Sequence, residues 1–309
     1  MKFTLKKTLA AVLALAILAG FACPAFAVRT VKDVPQPEGD AFCILLSGDP
    51  QIGAGGLESD TAGWTDSLTR ALAQWEDAAF LVTAGDQINT KGNAGQLEGF
   101  LAPLEALDIA IAPTPGNHDG KAVLDNFDLP NRDAVGNYWY TYGGSLFIHL
   151  NTADNTFRLP AMVRFLLSAV RANPDAAWKF VTFHHSFYTA EATRAYNPVS
   201  FARRFFYGLL FDALGIDMAF MGHDHLYIRS KPMRFWLPNE SGTTYVTLSS
   251  GSGSKFYDML GREPYYSQVQ LQPYVPMLSL LDVTPQALTL TTCRTDTMEV
   301  LDTCVITKD

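Results

Sequence analysis

Short apolar runs alternate with amphipathic stretches along the first two thirds of the chain. Continuous apolar runs predict buried strands at 41–47, 78–85, 178–185 and 216–223, with a further strand inside 108–116. Apolar residues at helical spacing predict helices at 61–78, 93–107, 160–173 and 198–214. A pair of strands joined through Gly143-Gly144 is expected at 138–151.

From residue 226 to the end, the apolar runs are short and strand-like, and no helix is predicted. The chain therefore begins as alternating strands and helices and ends as a run of strands. This order predicts an α/β fold in which two packed β-sheets are flanked by helices in one domain. The segment 28–40 is polar and holds two prolines, so it is predicted to be a linker, which leaves 41–309 as the folded domain.

Residues 1–27 have the three parts of a secretory signal peptide. Lysines precede an apolar stretch from Leu9 to Cys23, and Ala25-Phe26-Ala27 has small residues at the two positions that a signal peptidase reads. A membrane anchor is the weaker alternative, because the apolar stretch is short of the roughly 20 residues that span a bilayer. A lipid-modified Cys23 is weaker still. Cleavage before Val28 predicts a secreted or cell-envelope protein that is not inserted in a membrane.

Composition and charge narrow the class of function. Apolar residues make up 48% and aromatic residues 12% of the chain, which excludes a disordered protein. Removal of residues 1–27 takes away three lysines and no acid, so the formal charge changes from −8 to −11. Nucleic acid is not an expected partner of so acidic a chain, because Lys and Arg hold the phosphate backbone.

Three cysteines remain in the chain after residue 27. Cys293 and Cys304 flank a predicted strand, turn and strand, and export permits disulfides. A bridge across this hairpin is therefore expected, with reduced cysteines as the alternative. Cys43 lies in an apolar run and is predicted to be a buried free thiol.

Polar clusters follow five of the predicted strands. They are Gly48-Asp49-Pro50-Gln51, Gly85-Asp86-Gln87-Ile88-Asn89, Gly116-Asn117-His118-Asp119, His184-His185 and Gly222-His223-Asp224-His225. Ligands of α/β sheets collect outside the carboxyl ends of the strands, so we expect the clusters to meet in one place. Glycine before a polar residue permits the tight turn that places a side chain over the strand end.

The residue types in these clusters suit a site for two metal ions. Carboxylates can bridge two cations, and imidazole and amide oxygen complete the coordination of manganese, zinc or iron. Two metal ions about 3.5–4 Å apart generate a nucleophile and stabilise the attacking and leaving oxygens in phosphoryl transfer. A single Gly-Asp after a strand is common, whereas all five clusters in this order are not expected by chance.

The order of the clusters resembles that of the calcineurin-like metallophosphoesterases. His184-His185-Ser186-Phe187-Tyr188 is similar to the H-x-P-x-Y segment of purple acid phosphatases, and residues 222–229 are similar to their GH-x-H-x-Y-x-R. The segments DPQ, GDQ, GNHD, FHHS and GHDH also look like a bacterial secreted branch. The resemblance covers roughly 41–230 and implies a four-layer α/β/β/α sandwich with 41–309 as the catalytic domain. The segment 28–40 leaves no room for the N-terminal β-sandwich that purple acid phosphatases often carry.

The resemblance implies a role for each residue. The metal ligands would be Asp49 and His225 for the first ion, Asn117, His184 and His223 for the second, and Asp86 as the bridge between them. His118 would not bind metal but would stabilise the developing charge and help to protonate the leaving oxygen, with Asp119 orienting it. A metal-bound hydroxide would attack phosphorus in line.

Two positions depart from the pattern of the family. The first motif is usually D-x-H, but here it is Asp49-Pro50-Gln51. Purple acid phosphatases have a tyrosine three residues after the bridging Asp, where this chain has Asn89. Gln51 and Asn89 are therefore added to the candidate ligands of the first ion as neutral amides, which bind more weakly than imidazole or phenolate. Without the iron–tyrosinate bond, the protein is predicted to be non-purple.

Other residues near the motifs have structural alternatives. His149 lies on a strand outside every motif, which favours a core or surface histidine. His185, Tyr188, Tyr227 and Arg229 are lower-ranked candidates for substrate contact, with bracing of the loops as the alternative for the last three. The aromatic segment 201–208 is predicted to be a packed helix rather than a binding surface.

The leading hypothesis is an exported metal-dependent phosphoesterase. It would hydrolyse small phosphomonoesters, with phosphodiesters as further candidates, and loops such as 120–137, 186–200 and 230–243 would set its specificity. One alternative is a protein of the same fold that binds metal and phosphate esters but has lost turnover through Gln51 and Asn89. The retained His118 argues against it, because a binding protein needs no acid catalyst. A nuclease is disfavoured by the acidic charge.

Overall fold

The computed structural model describes residues 28–153 and 159–308. The predicted signal peptide at 1–27 lies outside the described residues, so it stays a prediction. None of the helices in the described ranges is long and apolar enough to cross a membrane.

Four helices and fifteen strands are found in the described ranges. The helices are α1 (Leu57–Gln74), α2 (Ala94–Ala106), α3 (Leu159–Ala172) and α4 (Pro198–Leu214), with short 3-10 helices at Val31–Asp33 and Lys121–Asn126. The strands before the motif at 222 are β1 (Phe42–Ser47), β2 (Ala78–Thr83), β3 (Ile111–Pro113), β4 (Tyr138–Tyr142), β5 (Ser145–Leu150), β6 (Lys179–His185) and β7 (Met218–Gly222). Those after it are β8 (Tyr227–Ser230), β9 (Met233–Arg234), β10 (Leu237–Pro238), β11 (Thr244–Thr247), β12 (Ser267–Leu271), β13 (Met277–Val283), β14 (Ala287–Arg294) and β15 (Val300–Thr307).

The strands form two mixed sheets and one small hairpin of β9 and β10. The six-stranded sheet has the order β15-β14-β13-β1-β2-β3, and β1, β2 and β3 run parallel. The seven-stranded sheet has the order β12-β8-β11-β7-β6-β5-β4, and β5, β6, β7 and β11 run parallel. All five motif-bearing strands are among the parallel ones, so the polar clusters lie at the carboxyl ends of neighbouring strands.

Helices cover the outer faces of both sheets. Trp64 of α1 stacks on Phe100 of α2 at 5.9 Å between ring centroids, and both are buried in one core with Ile44 and Phe80 of the six-stranded sheet. A second core joins the seven-stranded sheet to Leu166 of α3 and to Phe211 of α4. The predicted four-layer α/β/β/α sandwich is confirmed.

The turn between β4 and β5 forms at the predicted glycine pair. Gly143 and Gly144 have φ values of 50° and 68°, which suit a two-residue hairpin turn. Gly143 also lies against the ring of Phe42, where a Cβ atom would collide. The predicted hairpin at 138–151 is confirmed.

The expected disulfide is wrong. Cys293 lies opposite Val300 in the pairing of β14 with β15, and Cys304 lies opposite Leu290. Both thiols are free because the register places them on different rungs of the hairpin. Cys43 is also free, as expected, but it is only half-buried.

The predicted linker at 28–40 is tied to the edge of the fold near its start. Thr30 forms a parallel bridge with Ile111 of β3, and the Val31 side chain is buried. The Thr30 hydroxyl donates to the carbonyl oxygen of Asp128 at 2.9 Å. The segment therefore extends the six-stranded sheet by one bridge before the chain enters β1.

Candidate active site

The turns that carry the polar clusters have unusual backbone conformations. Asp49, Gln51, Asp86, His223 and His225 have φ values of 26°, 39°, 50°, 75° and 50°. Residues with a Cβ atom rarely adopt this left-handed region, and such outliers collect at functional sites because the surrounding structure must enforce them. Five of the predicted ligands are thus held in conformations that local preference does not supply.

Two motif glycines are required by close approach rather than by their own turn. A Cβ atom on Gly116 would collide with the carboxylate of Asp86, and one on Gly222 would lie 2.5 Å from Asp49 Oδ2. Neither of these glycines has a positive φ. They let the loops after β3 and β7 pack directly on the two carboxylates at the centre of the site.

The second half of the site, defined as Asp86, Asn117, His184 and His223, is tightly gathered. His184 Nε2 lies 3.2 Å from Asp86 Oδ2, 2.9 Å from Asn117 Oδ1 and 3.1 Å from His223 Nδ1. Single ligand atoms of Asp86, His184 and His223 all lie within 4.8 Å of one another. The structure therefore brings all four predicted ligands of the second ion together.

Backbone carbonyl groups orient two of the imidazole rings. His184 Nδ1 lies 2.9 Å from the carbonyl oxygen of Ala84, and His225 Nδ1 lies 2.9 Å from that of Lys255. A carbonyl oxygen only accepts, so each Nδ1 carries the proton and each Nε2 points into the site. This arrangement orients the ring for a metal and raises its basicity.

The first half of the site, defined as Asp49, Gln51, Asn89 and His225, contains unpaired oxygens. Asp49 Oδ2 accepts from the His223 N–H at 2.7 Å, whereas Asp49 Oδ1 has no hydrogen-bond donor in the described ranges and lies 3.5 Å from His225 Nε2. Gln51 Nε2 donates to Asn89 Oδ1 at 3.1 Å, and the buried Gln51 Oε1 likewise has no donor there. Buried oxygens without a donor are costly, so this donor set fits a cation.

The buried charges in the site change one another's pKa. Burial raises the pKa of Asp49 well above its usual value. Burial acts in the same direction on Asp86, but the charge and hydrogen bond of His184 outweigh it and lower the pKa. Burial opposes protonation of His184, yet the carboxylates of Asp86 and Asp49 raise its pKa to about 9. The two carboxylates therefore favour a positive charge at the centre of the site, and a proton on His184 supplies one.

The structure corrects the expected relation between His118 and Asp119. His118 Nδ1 lies 2.7 Å from the carbonyl oxygen of Asn89, which orients the ring. The Asp119 carboxylate instead accepts from the backbone N–H groups of Ile88 and Gly116, both at 2.9 Å. Asp119 therefore holds the loops after β2 and β3 together, and it does not orient His118. Its burial raises its pKa to about 8.

Three lower-ranked candidates lie away from the ligand cluster. Arg229 Nε and the Tyr227 hydroxyl both donate to Asp302 Oδ2 of β15 at 2.7 Å. This contact joins β8 of one sheet to β15 of the other, which favours the bracing alternative. Tyr188 is buried in the second core, with the guanidinium of Arg204 lying 4.9 Å from its ring centroid.

His185 lies beside the cluster, and His149 does not. The ring centroid of His185 is 4.7 Å from that of His223, and its Nδ1 is 3.0 Å from the Thr152 hydroxyl. His149 is fully buried and stacks on Tyr138 at 4.3 Å, and burial lowers its pKa to about 3. It is a neutral core histidine, one of the two alternatives expected from the sequence.

Sequence reasoning missed three residues at the edge of the site. Arg194 donates to the carbonyl oxygen of His223 at 2.7 Å and to Asp224 Oδ1 at 3.0 Å. The ring centroid of Tyr257 lies 5.1 Å from that of His225, and the Arg194 guanidinium and Lys255 Nζ lie 4.7 and 4.6 Å from the Tyr257 centroid. They come from loops rather than strand ends, although Arg194 falls in the loop 186–200 that was expected to set specificity.

Comparisons with known proteins agree with this geometry. The family model described as calcineurin-like phosphoesterase matches residues 44–227. A search of curated protein sequences found no match. The fold is similar to a purple acid phosphatase from yellow lupin (Lupinus luteus) seeds, with a TM-score of 0.73 and 16% identity over 89% of this chain. This chain spans 55% of the lupin protein.

Two further solved structures have the same fold. GAP50 of Plasmodium, described as the anchor in the inner membrane complex, has a TM-score of 0.66 and 14% identity, over 87% of this chain and 89% of its own. A dimetal phosphatase from Danio rerio has a TM-score of 0.59 and 13% identity, over 87% and 99%. These likenesses confirm the fold alone. The family match agrees with the phosphoesterase class predicted from the motifs. The chain belongs to the calcineurin-like phosphoesterase family.

Proposed function

We propose that the protein is an exported phosphoesterase with two metal ions, acting on small phosphomonoesters and, as a second substrate class, on phosphodiesters. The observation that carries the proposal is the contact between Asp49 Oδ1 and His225 Nε2, which lie 3.5 Å apart. Burial lowers the pKa of His225 to about 4, and its Nδ1–H is directed to Lys255, so the Nε2 lone pair faces a carboxylate oxygen. Two buried lone pairs at this distance repel unless a proton or a metal ion lies between them.

The residues divide into a holding set and a reacting set. Asp49, His225 and Gln51 would hold the first ion, and the second half of the site would hold the other, with Asp86 shared by both. When bound, the metal ions supply a nucleophile from water and stabilise charge on the phosphoryl oxygens. Manganese, zinc and iron all suit these donors.

His118 is the residue assigned to proton transfer. It is only partly buried, and its backbone N–H donates to Asp86 Oδ1 at 2.8 Å, which fixes it beside the bridging carboxylate. With Nδ1 donating to Asn89, Nε2 is the nitrogen that can carry a proton to the leaving oxygen. Arg194 and Lys255 add positive charge at the edge of the site, where an anionic ester would enter.

The test is turnover of an aryl phosphate and of its diester by protein reloaded with manganese, zinc or iron. We expect metal-dependent hydrolysis that Asp86→Asn abolishes and that Asp66→Asn, on the exposed face of α1, leaves unchanged. Equal activity of the wild type and the Asp86→Asn variant would refute the proposal that the protein is a phosphoesterase. Metal binding without any turnover would favour the weakened binding protein instead.

Export and colour are part of the same proposal. The predicted signal peptide directs the chain to the cell envelope or the exterior, with Val28 as the first residue of the mature protein. The side chain at position 89 is an amide bonded to Gln51, so no phenolate is available at the place where purple acid phosphatases have one. An iron-loaded sample with a strong tyrosinate absorption band would contradict the non-purple prediction.

A further inference from the structure

An exposed aromatic surface lies on the helical layer outside the seven-stranded sheet. We define it as Tyr196, Phe201, Phe205, Phe206, Phe235, Trp236 and Tyr265. Phe201 is 66% exposed and Tyr196 61%, and the other four tyrosine and phenylalanine residues are 40% to 52% exposed. The segment 201–208 was expected to be a packed helix, and that holds for Arg204 and Tyr207 but not for its three phenylalanines. Contiguous exposed apolar surface of this kind marks an interaction site.

The aromatic side chains form one continuous surface. Trp236 stacks on Phe205 at 4.7 Å, and Phe205 contacts Phe206 at 5.5 Å. The Tyr265 hydroxyl donates to the carbonyl oxygen of Trp236 at 2.9 Å. A cavity of about 670 Å³ connects Tyr265 to Tyr196 and Phe201. The surface therefore extends from the start of α4 to the hairpin of β9 and β10.

Three basic side chains lie among these aromatic groups. Arg262 donates to the Tyr196 hydroxyl and lies 4.9 Å from the centroid of that ring, and Arg234 lies 5.6 Å from the centroid of Phe235. Lys231 Nζ donates to the carbonyl oxygen of Tyr265 at 3.0 Å. Within the described ranges none of the three forms an ion pair with a carboxylate. Two carboxylates also lie at this surface, since Glu263 lines the cavity and Asp212 Oδ2 accepts from the Phe235 N–H at 2.7 Å, so the three cations outnumber the acids.

The two observations together define the chemistry of the partner. It must offer anionic groups to the three cations and an apolar layer to the aromatic rings. An anionic lipid surface offers both, since aromatic side chains settle at the headgroup level and basic residues are drawn to acidic headgroups. A second copy of the chain in a two-fold contact would bring two copies of the same three cations into one interface.

We propose that the aromatic surface, with Lys231, Arg234 and Arg262, docks the protein on an anionic membrane surface. The contact holds the protein at the headgroup layer and involves no insertion of a helix. None of its residues belongs to either half of the active site. The proposal is therefore independent of the phosphoesterase reaction.

The test is sedimentation of residues 28–309 with vesicles. Vesicles of phosphatidylcholine alone are compared with vesicles containing 30% phosphatidylglycerol, at low salt and in 0.5 M NaCl. We expect binding to the second type only, weakened by salt. Replacing the three cations by glutamine should weaken binding on the order of a hundredfold, at roughly fivefold per basic side chain.

Two more variants test whether vesicle binding depends on this aromatic surface or on exposed apolar residues anywhere on the protein. Phe201→Ser with Phe206→Ser should also lose vesicle binding, whereas Val300→Ser with Val305→Ser, at equally exposed positions of β15, should keep it. The melting temperature reports the folding of every variant and should stay close to that of the wild type. No binding to the phosphatidylglycerol vesicles would overturn the proposal, and so would equal binding by all variants. A dimer that the Phe201 and Phe206 changes dissociate would overturn it in favour of self-association.

Discussion

The two halves of the active site hold their candidate ions with different chemistry. The second half has two imidazoles, and the atoms that would bind the metal ion already lie within hydrogen-bonding distance of one another. The first half has one imidazole, an amide in place of the usual histidine, and two buried oxygens that find no hydrogen-bond donor in the described part of the chain. Imidazole suits zinc and iron, whereas carboxylate and amide oxygens suit manganese and other hard ions. We therefore expect the second ion to bind more tightly, and the two sites to differ in metal preference.

The largest loss of metal and of activity is expected from a change in the second half of the site. His184→Ala removes the nitrogen that lies close to Asp86, Asn117 and His223, so metal content should fall by one ion or more per chain. Activity should fall on the order of a thousandfold, because several kcal/mol of charge stabilisation is lost. Metal analysis by mass spectrometry and aryl phosphate turnover measure this. His149→Gln is the control, since it changes an equally buried histidine and should lower the melting temperature while metal content stays unchanged.

Replacement of His118 separates proton transfer from metal binding in both halves. His118→Ala should slow an alkyl phosphate by roughly 10²- to 10⁴-fold, the usual contribution of a general acid. An aryl phosphate with a good leaving group should be slowed far less, because its leaving oxygen needs no proton. Metal content should be that of the wild type. Equal slowing of both substrates would argue that His118 acts on binding rather than as an acid.

The first half should respond less to loss of its amide. Gln51→Ala should lower the affinity for the first ion and the activity by about 10- to 100-fold, the range typical of ligand-supporting groups. Gln51→His restores the usual motif and should bind that ion more tightly than the wild type, as measured by calorimetry. Asn89→Ala removes only the partner of Gln51 and should have the smaller effect. If Gln51→Ala bound both ions like the wild type, Gln51 would not be a ligand.

The pH dependence of stability tests the buried charges without any substrate. Burial raises the pKa of Asp49 and raises that of Asp119 to about 8, and the neighbouring carboxylates raise that of His184 to about 9 against the effect of burial. Between about pH 6.5 and 8 the unfolded chain has released these protons, whereas the folded metal-free chain still holds them. The free energy of unfolding should therefore fall by up to about 1.4 kcal/mol per pH unit for each group.

Metal ions should remove much of this pH dependence. They replace the protons at Asp49 and His184, so the metal-loaded protein should lose less stability over the same pH window. Thermal melting with and without a chelator, at pH 6.5 and 8, provides the measurement. Identical slopes for the two forms would show that Asp49 and His184 do not bind the metal ions.

The smallest effect on activity is expected outside both halves. Arg229 and Asp302 form an ion pair in which the two side chains are 11% and 7% exposed. Arg229→Gln breaks this pair and should lower the free energy of unfolding by roughly 3 kcal/mol. Because this pair joins the two sheets and lies away from the ligands, kcat and KM should not change at a temperature where the variant is folded. A raised KM would restore Arg229 as a substrate contact.

The sequence predicted the features that are local along the chain. Strands followed by Gly-Asp, Gly-Asn-His-Asp and Gly-His-Asp-His could be located because apolar runs and motif residues are adjacent, and parallel pairing then brings their ends together. The helix 198–214 was predicted at its observed bounds from apolar residues at helical spacing, and in the structure Asn197 and Gly215 cap it.

The features that depend on distant contacts could not be predicted. Asp302 is more than 70 residues from Tyr227 and Arg229, so nothing in the motif shows that both are bound to it. The backbone carbonyl of Asn89 orients His118. Every residue has such a carbonyl, so the amino-acid sequence does not show which one makes this contact. Cys293 and Cys304 are separated by the register of β14 with β15, which places Cys304 opposite Leu290, three residues before Cys293, and the alternation of side chains does not reveal that register.

The left-handed backbone at five ligand positions has a consequence for engineering. Each such residue costs of order 1–3 kcal/mol, which glycine would relieve. A selection for heat resistance alone would therefore favour glycine at Asp49, Gln51 or His223. The resulting protein would be more stable but would lack the residues of the active site. A library built for thermostability should keep these positions fixed and vary the rest.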